Sequence, residues 1–255
     1  MARLLADTDP PVFQVVHEAG ASPFLFACDH AGRSLPKALG DLGLDEPELQ
    51  RHIAWDIGIA GVGRLLAEQL DAFLILHSYS RLVIDANRPP GSPQSIVELS
   101  EATTIPGNVG LSPDEVRVRE EEVFWPYHRR IATELDRRAQ LGLPTIFIAL
   151  HSFTPVYLGN ARPWHMGVLY QRDVRVAHRM LELLRQEPGL RVGDNEPYFV
   201  SDATDYSVVQ HGERRGLLHV ELELRQDLIA EPSGQQAWAD RLRPVLEQVQ
   251  RSFVG

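Results

Sequence analysis

This sequence predicts an α/β fold: a single domain with a mostly parallel mixed sheet flanked by helices on both faces. Three observations carry that reading. Short apolar runs without polar interruption, Phe24–Cys28 (FLFAC) and 145–150 (TIFIAL), have the pattern of strands covered on both faces. Stretches with apolar residues at helical spacing alternate with such runs, as in a parallel sheet sandwiched between helices. The chain has 255 residues, with no internal repeat, low-complexity tract or long Pro/Gly/Ser linker, so it reads as one domain over residues 1–255.

In chain order, FLFAC is the first strand. A helix is expected over 56–70, where Ile57, Ala60, Gly61, Leu65 and Leu66 recur at helical spacing. Phe73–His77 (FLILH) is a second buried strand, and the apolar triplet 82–84 (LVI) is assigned to a third. Ser112-Pro113-Asp114-Glu115 combines an N-cap, a proline at the first helical position and acids in the first turn. The long helix it opens should run to about Gln140, bent near Pro126. TIFIAL is the strongest strand. Residues 167–170, residues 216–224 and a helical stretch over 235–253 complete the alternation.

Composition narrows the function. The chain is 44% hydrophobic and 24% charged, an ordinary globular balance that excludes a disordered or fibrous protein. The net charge of −10 disfavours broad nucleic-acid binding but leaves room for a local cationic pocket. Cys28 is the only cysteine, so neither a disulfide nor a cysteine-rich zinc module is available. No apolar run approaches the roughly 18 residues of a membrane span. The first ten residues carry Arg3, Asp7 and Asp9 and lack a signal-peptide core. The expectation is a soluble cytoplasmic protein. Oligomeric state leaves no readable trace.

In open α/β sheets ligands bind outside the carboxyl ends of the strands. Past FLFAC stand Asp29 and His30, past TIFIAL stand His151 and Ser152, and past LVI stand Asp85, Asn87 and Arg88. Residues 216–224 carry Glu221 and Glu223, which share a face because they are two apart on a strand. Two histidines at one sheet edge suit a catalytic zinc site, which takes two imidazoles and a carboxylate and keeps a fourth position open. A hydrogen-bonded structural histidine is the competing reading of each. His77 is the strongest rival ligand. His128 is expected on a solvated helix face, and His17, His52 and His178 are given no chemistry. Asp56 opens a helix, where an acid commonly serves as a cap. Asn87 and Arg88 could grip a carboxylate, or Arg88 could pair with Asp85 to brace a proline-rich turn.

The ordered motifs CDHAGRSLP, WDIGIAGVGRLLAE, SRLVIDANRP, ALHSFTPVYLG, RPWHMGVLY, EPYFVSDATDY and HVELELRQDL resemble the N-formylglutamate amidohydrolase family. The resemblance runs from about Phe24 to Leu228 and implies a zinc-exopeptidase-like (phosphorylase/hydrolase-like) fold with Zn2+ at one edge. It implies His30 and His151 as metal ligands and Glu223 as general base. It also implies Asn87 and Arg88 as the grip on the substrate carboxylate, with Arg162 and His165 lining the pocket. The carboxypeptidases of the wider superfamily place a ligand glutamate three residues after the first histidine, where this chain has Arg33. The carboxylate ligand is therefore assigned to Asp56, with Asp29 behind it. The implied activity is metal-dependent hydrolysis of the amide of a small acidic N-formyl or other N-acyl amino acid such as N-formylglutamate. A non-catalytic small-anion-binding protein with a retained pocket is the alternative, as is a metallohydrolase of the same fold acting on a peptide or ester.

Overall fold

The computed structural model describes residues 3–254. Seven strands form one sheet: β1 (Phe13–Val16), β2 (Phe24–Cys28), β3 (Phe73–His77), β6 (Ile146–Phe153), β9 (Met166–Leu169), β10 (Val192–Asp194) and β11 (Leu218–Arg225). Their spatial order is β1-β3-β2-β6-β11-β9-β10. The four central strands β3, β2, β6 and β11 are mutually parallel, while β1 and β9 join antiparallel. Two short hairpins stand apart from the sheet, β4 (Leu99–Ser100) with β5 (Thr103–Thr104) and β7 (Val156–Tyr157) with β8 (Asn160–Ala161). The helices are α1 (Glu46–Leu49), α2 (Ile59–Leu70), α3 (Pro113–Arg119), α4 (Trp125–Gln140), α5 (Arg175–Leu184) and α6 (Pro232–Phe253). None of the described helices is long and apolar enough to cross a membrane.

The central strands are apolar on both sides because both sides are covered. Phe24, Phe26, Leu74, Ile148 and Val220 pack on one face with α2, α5 and α6. Leu25, Ala27, Ile75, Phe147 and Ala149 pack on the other, against Tyr127, Ile131 and Leu135 of α4 and Val208 and Val209 of a π-helical turn. From β2 the chain moves outward to β3 and then crosses back to β6 on the opposite side of β2. The strand order thus reverses between β2 and β6, the place where α/β sheets open a crevice for ligands.

Three expectations change. Residues 82–84 form a turn, not a strand; Leu82, Val83 and Ile84 are apolar because they are buried beneath side clusters away from the sheet. The long helix is divided by a π-helical turn at Glu120–Phe124, and Pro126 sits in the first turn of α4 instead of bending a continuous helix. Ser112 makes the expected capping box with Glu115. The helix after Trp55 begins at Ile59, with Gly58 as N-cap in the left-handed region (φ 82°), so Asp56 caps nothing.

One buried ion-pair cluster ties α4 to the sheet. Glu134 accepts from Arg137 at 2.7 and 3.1 Å and from Arg138 at 3.2 Å, while Arg138 Nη1 donates to Ser22 O at 3.0 Å. Burial opposes the charge of Glu134, but the bonds and charges of Arg137 and Arg138 outweigh it and hold the carboxyl below its ordinary value. Glu134→Ala leaves the buried Arg138 uncompensated and is expected to cost about 3 kcal/mol in denaturant unfolding. Because the folded carboxyl is the stronger acid, this contribution is present above the ordinary value of 4.5 and is lost as pH falls below it.

Candidate functional site

The alternation of β-strand side chains places Asp29, His77, His151, Glu221 and Glu223 on one face of the sheet, the face covered by α4. Glu223 stands directly opposite His151 in the β6–β11 register. His30 arrives on the turn after β2, where there is no room for a side chain at Gly32: a Cβ would lie 2.1 Å from Ser78 O. Asp56 is fixed by its own N–H donating to His30 O at 2.9 Å and by Ser152 N–H donating to its Oδ2 at 3.1 Å.

These constraints bring His30, Asp56 and His151 together, all buried, with one donor atom from each within 4.8 Å of the others. His30 Nδ1 and His151 Nδ1 are 3.2 Å apart, and Asp56 Oδ2 lies 3.5 and 3.0 Å from them. Ligands about 2.0–2.1 Å from a tetrahedral cation stand about 3.3–3.4 Å from one another, so this triangle has the size of a shared ion. The surroundings also fix which atoms face inward. His30 Nε2 donates to Asp85 Oδ1 at 2.6 Å, which leaves its Nδ1 lone pair facing the triad. His151 Nε2 stands 3.2 Å from Asp29 Oδ2, an ion-pair distance whose alignment falls short of a hydrogen bond. Asp56 Oδ2 can only accept, so without a metal His151 Nδ1 donates to it at 3.0 Å, and the same three atoms converge on the place a shared cation would take. Burial alone would depress His151, but Glu221, Asp29 and Asp56 outweigh it and hold its imidazole well above the ordinary range. The donor set therefore fits a divalent cation, with Asp29 and Asp85 holding the imidazoles from behind as supporting carboxylates do in metal sites.

Asp85 is a hub. Besides His30 it accepts from Arg81 Nε and Nη2 at 3.0 and 2.6 Å and from Asn87 N at 2.9 Å. Arg81, not Arg88, is thus its ion-pair partner; a buried i,i+4 pair outside any helix has no signature in the sequence. Arg88 Nη1 donates to Thr204 O at 2.6 Å and Asn87 O at 3.1 Å, while its Nε and Nη2 have no hydrogen-bond partner among the described residues. Asn87 Oδ1 accepts from Tyr206 N and Ser207 N, and its Nδ2 lies 3.5 Å from both Asp205 and Glu221. It is engaged in holding this wall together. Glu223 Oε2 has no partner, and burial pushes the carboxyl up to about 7 against the opposing charge of His151. Burial likewise holds Glu221 well above the ordinary range.

The triad, Arg81, Asp85, Asn87, Arg88, Glu221 and Glu223 line one cavity of about 520 Å3, open to solvent past Tyr157, Tyr198 and Phe199. Arg162 and His165 lie outside its lining. Arg162 stacks behind the rim, 4.7 Å from the ring centroids of both Tyr157 and Tyr198, and donates to Tyr198 Oη at 2.7 Å. His165 accepts from Arg191 N at 3.1 Å where the chain enters β9. His77 donates Nδ1 to Tyr79 O at 3.1 Å and faces Tyr127, away from the cavity. His128 is buried, against expectation: its Nε2 donates to Ala86 O and its Nδ1 meets His211 Nε2 at 3.0 Å. Burial pushes it down to about 4.

Fold and site together define an α/β protein whose sheet carries a buried His–Asp–His triad, suited to a cation, at its strand-order reversal. Comparison with known proteins makes the class more specific. The family model for N-formylglutamate amidohydrolase matches residues 22–230. This chain belongs to the N-formylglutamate amidohydrolase family. Two N-formylglutamate deformylases are similar to it: that of Pseudomonas putida is 34% identical over 141 residues, and that of Pseudomonas aeruginosa 35% identical over 165. These alignments cover 51% and 58% of this chain, and the chain spans 52% and 60% of those relatives' lengths. Among solved structures, a gene product from Agrobacterium tumefaciens superposes with a TM-score of 0.95 at 35% identity, over 99% of this chain and 100% of that one. N-formylglutamate amidohydrolase from Ralstonia eutropha shares the fold, with a TM-score of 0.72 at 18% identity over 95% of this chain and 100% of its own.

Proposed function

We propose that this chain is a metal-dependent amidohydrolase that cleaves the amide of an N-formyl or other N-acyl amino acid, of which N-formylglutamate is the reference substrate. The observation that carries the reading is the triad of inward-facing donors beside an unpartnered, buried Glu223. His30, Asp56 and His151 would hold the cation, with zinc the first choice for two imidazoles and a carboxylate. Such an ion supplies a Lewis acid that acidifies water and polarises a carbonyl oxygen. Glu223, whose carboxyl sits near neutrality, takes a proton from the attacking water and returns it to the amide nitrogen as the C–N bond breaks. Arg88 offers Nε and Nη2 to the substrate's carboxylate, and its Nη1 bond to Thr204 O fixes the direction of that fork. Asn87 positions Arg88 and the 204–207 turn from behind. The names of the relatives from Pseudomonas and Ralstonia support the same chemistry.

The test is turnover of N-formyl-L-glutamate and a panel of N-acyl amino acids by protein loaded with one equivalent of zinc, read as release of the free amine. Hydrolysis that vanishes on chelation and returns with metal is the expected result. Failure of metal-loaded protein to hydrolyse any member of the panel would overturn the reading.

A further inference from the structure

The outer half of the cavity differs from the inner half. Tyr157, Pro197, Tyr198, Phe199, Val97 and Leu99 all line the cavity, and Tyr157, Tyr198, Phe199 and Leu99 are 38, 42, 66 and 59% exposed. Exposed aromatics clustered at the rim of a pocket mark a recognition surface more often than chance exposure does. The wall is also preformed. Arg162 lies over both tyrosine rings and bonds Tyr198 Oη. Asp205 accepts from Ser201 N at 2.9 Å and from Thr204 Oγ1 at 2.7 Å, which stiffens the loop that carries Phe199.

Charge points the same way. The lining carries Asp56, Asp85, Glu101, Asp205, Glu221 and Glu223 against the guanidiniums of Arg81 and Arg88. Arg81 spends Nε and Nη2 on Asp85 and holds Nη1 3.5 Å from Asp56, so Arg88 alone offers an open fork. The acids outnumber the guanidiniums in this lining, and a second substrate carboxylate would find no open guanidinium in it.

We infer that the aromatic mouth is a subsite for a flat apolar group, so that the preferred substrate is an N-acyl amino acid with one carboxylate and an aromatic substituent rather than an N-acylated dicarboxylic acid. This rests on the amidohydrolase reading for the reacting end of the substrate and goes beyond it at the other end. Arg88 takes the one carboxylate, the triad and Glu223 face the amide, and Tyr157, Tyr198 and Phe199 cover the ring. Arg162 is a positioning residue that holds the two tyrosines.

Zinc-loaded protein is tested with N-formyl-L-phenylalanine, N-formyl-L-alanine, N-formyl-L-glutamate and N-benzoyl-L-alanine. A kcat/KM for one of the aromatic substrates about tenfold or more above that for N-formyl-L-glutamate is expected, since burying a ring contributes that much discrimination. The phenylalanine and benzoyl arms tell whether the ring belongs to the side chain or the acyl group. Phe199→Ala should lower the phenylalanine-to-alanine preference ratio about tenfold without shifting Tm. A preference for N-formyl-L-glutamate over both aromatic substrates overturns the inference and leaves the deformylase reading standing. If no substrate is hydrolysed, that reading fails, and calorimetric binding to the zinc-loaded Glu223→Gln protein decides the inference alone. Binding of N-formyl-L-phenylalanine tighter than N-formyl-L-glutamate supports it, and equal or weaker binding overturns it.

Discussion

Replacing Glu223 with glutamine is expected to lower kcat by about 100- to 10,000-fold, the contribution of a positioned proton carrier, with little change in KM. The substitution keeps the volume and the hydrogen-bonding reach of the side chain and removes only its capacity to take a proton. Glu223 is suited to that task by its place: 6% exposed, opposite His151 in the sheet, with Oε2 unpaired. Burial raises its carboxyl to about 7. A general base works only when ionised, so kcat/KM of the native enzyme should rise with pH as Glu223 ionises and then level off, and the variant should lose this limb. Stability moves the other way. Ionising a buried, unpartnered carboxylate is unfavourable, so the glutamine variant should unfold at the same or a higher temperature at neutral pH. Glu221→Gln is the internal control. That side chain lies two residues deeper, beside Asn87 Nδ2 at 3.5 Å, and should cost far less in kcat. Full activity in the Glu223 variant, or a larger loss in the Glu221 variant, would remove Glu223 from the mechanism.

How much of this could be read from the sequence depends on what makes a residue apolar. β2, β3 and β6 are sandwiched strands, so their apolar runs are complete and the polar residues that end each run lie toward the sheet edge: Asp29 and His30 follow β2 directly, and His151 is the first polar residue of β6, which runs on to Phe153. The same logic misleads at Leu82–Val83–Ile84, because burial alone makes a run apolar, whether the backbone is extended or turning. His128, beside Tyr127 and Arg129 in the sequence, reads as a solvated helix position. Yet Phe124, Tyr127, Ile131 and Leu135 recur at three- and four-residue intervals around it, and that stripe faces the core. The buried face of α5, with Val176, Ala177, Met180, Leu181 and Leu184, shows the same helical spacing. The edge strand β1 is four residues long and only partly buried, too short for its period to speak. What no local pattern could supply is the layer behind the triad. The partners of Asp85 are His30, 55 positions away, and Arg81, and Ser207 donates to Asp29 across 178 positions. Such contacts come from the crossing between β2 and β6, not from spacing.

Loss of the cation is expected to have the largest effect of all. Protein loaded with zinc should hold about one ion per chain, and chelated protein, like His151→Ala or His30→Ala, should retain neither the ion nor measurable hydrolysis. The reason is the triangle of His30 Nδ1, His151 Nδ1 and Asp56 Oδ2 with sides of 3.0–3.5 Å, in which each corner is one ligand. Asp85→Asn and Asp29→Asn should act one step back, keeping the stoichiometry but weakening zinc affinity about 10- to 100-fold, because the imidazoles lose the carboxylates that orient them. The pH dependence follows in sign from His151. Its imidazole is held well above the ordinary range despite burial, so in the metal-free protein it carries a proton that the metal must displace. Zinc binding at neutral pH should therefore release a proton, visible as a calorimetric heat that varies with the ionisation enthalpy of the buffer, and affinity should fall as pH falls. A protein that hydrolyses its substrate at full rate with no metal by elemental analysis, or that binds zinc as tightly without His151, would show that the triad is a hydrogen-bonded cluster and not a metal site.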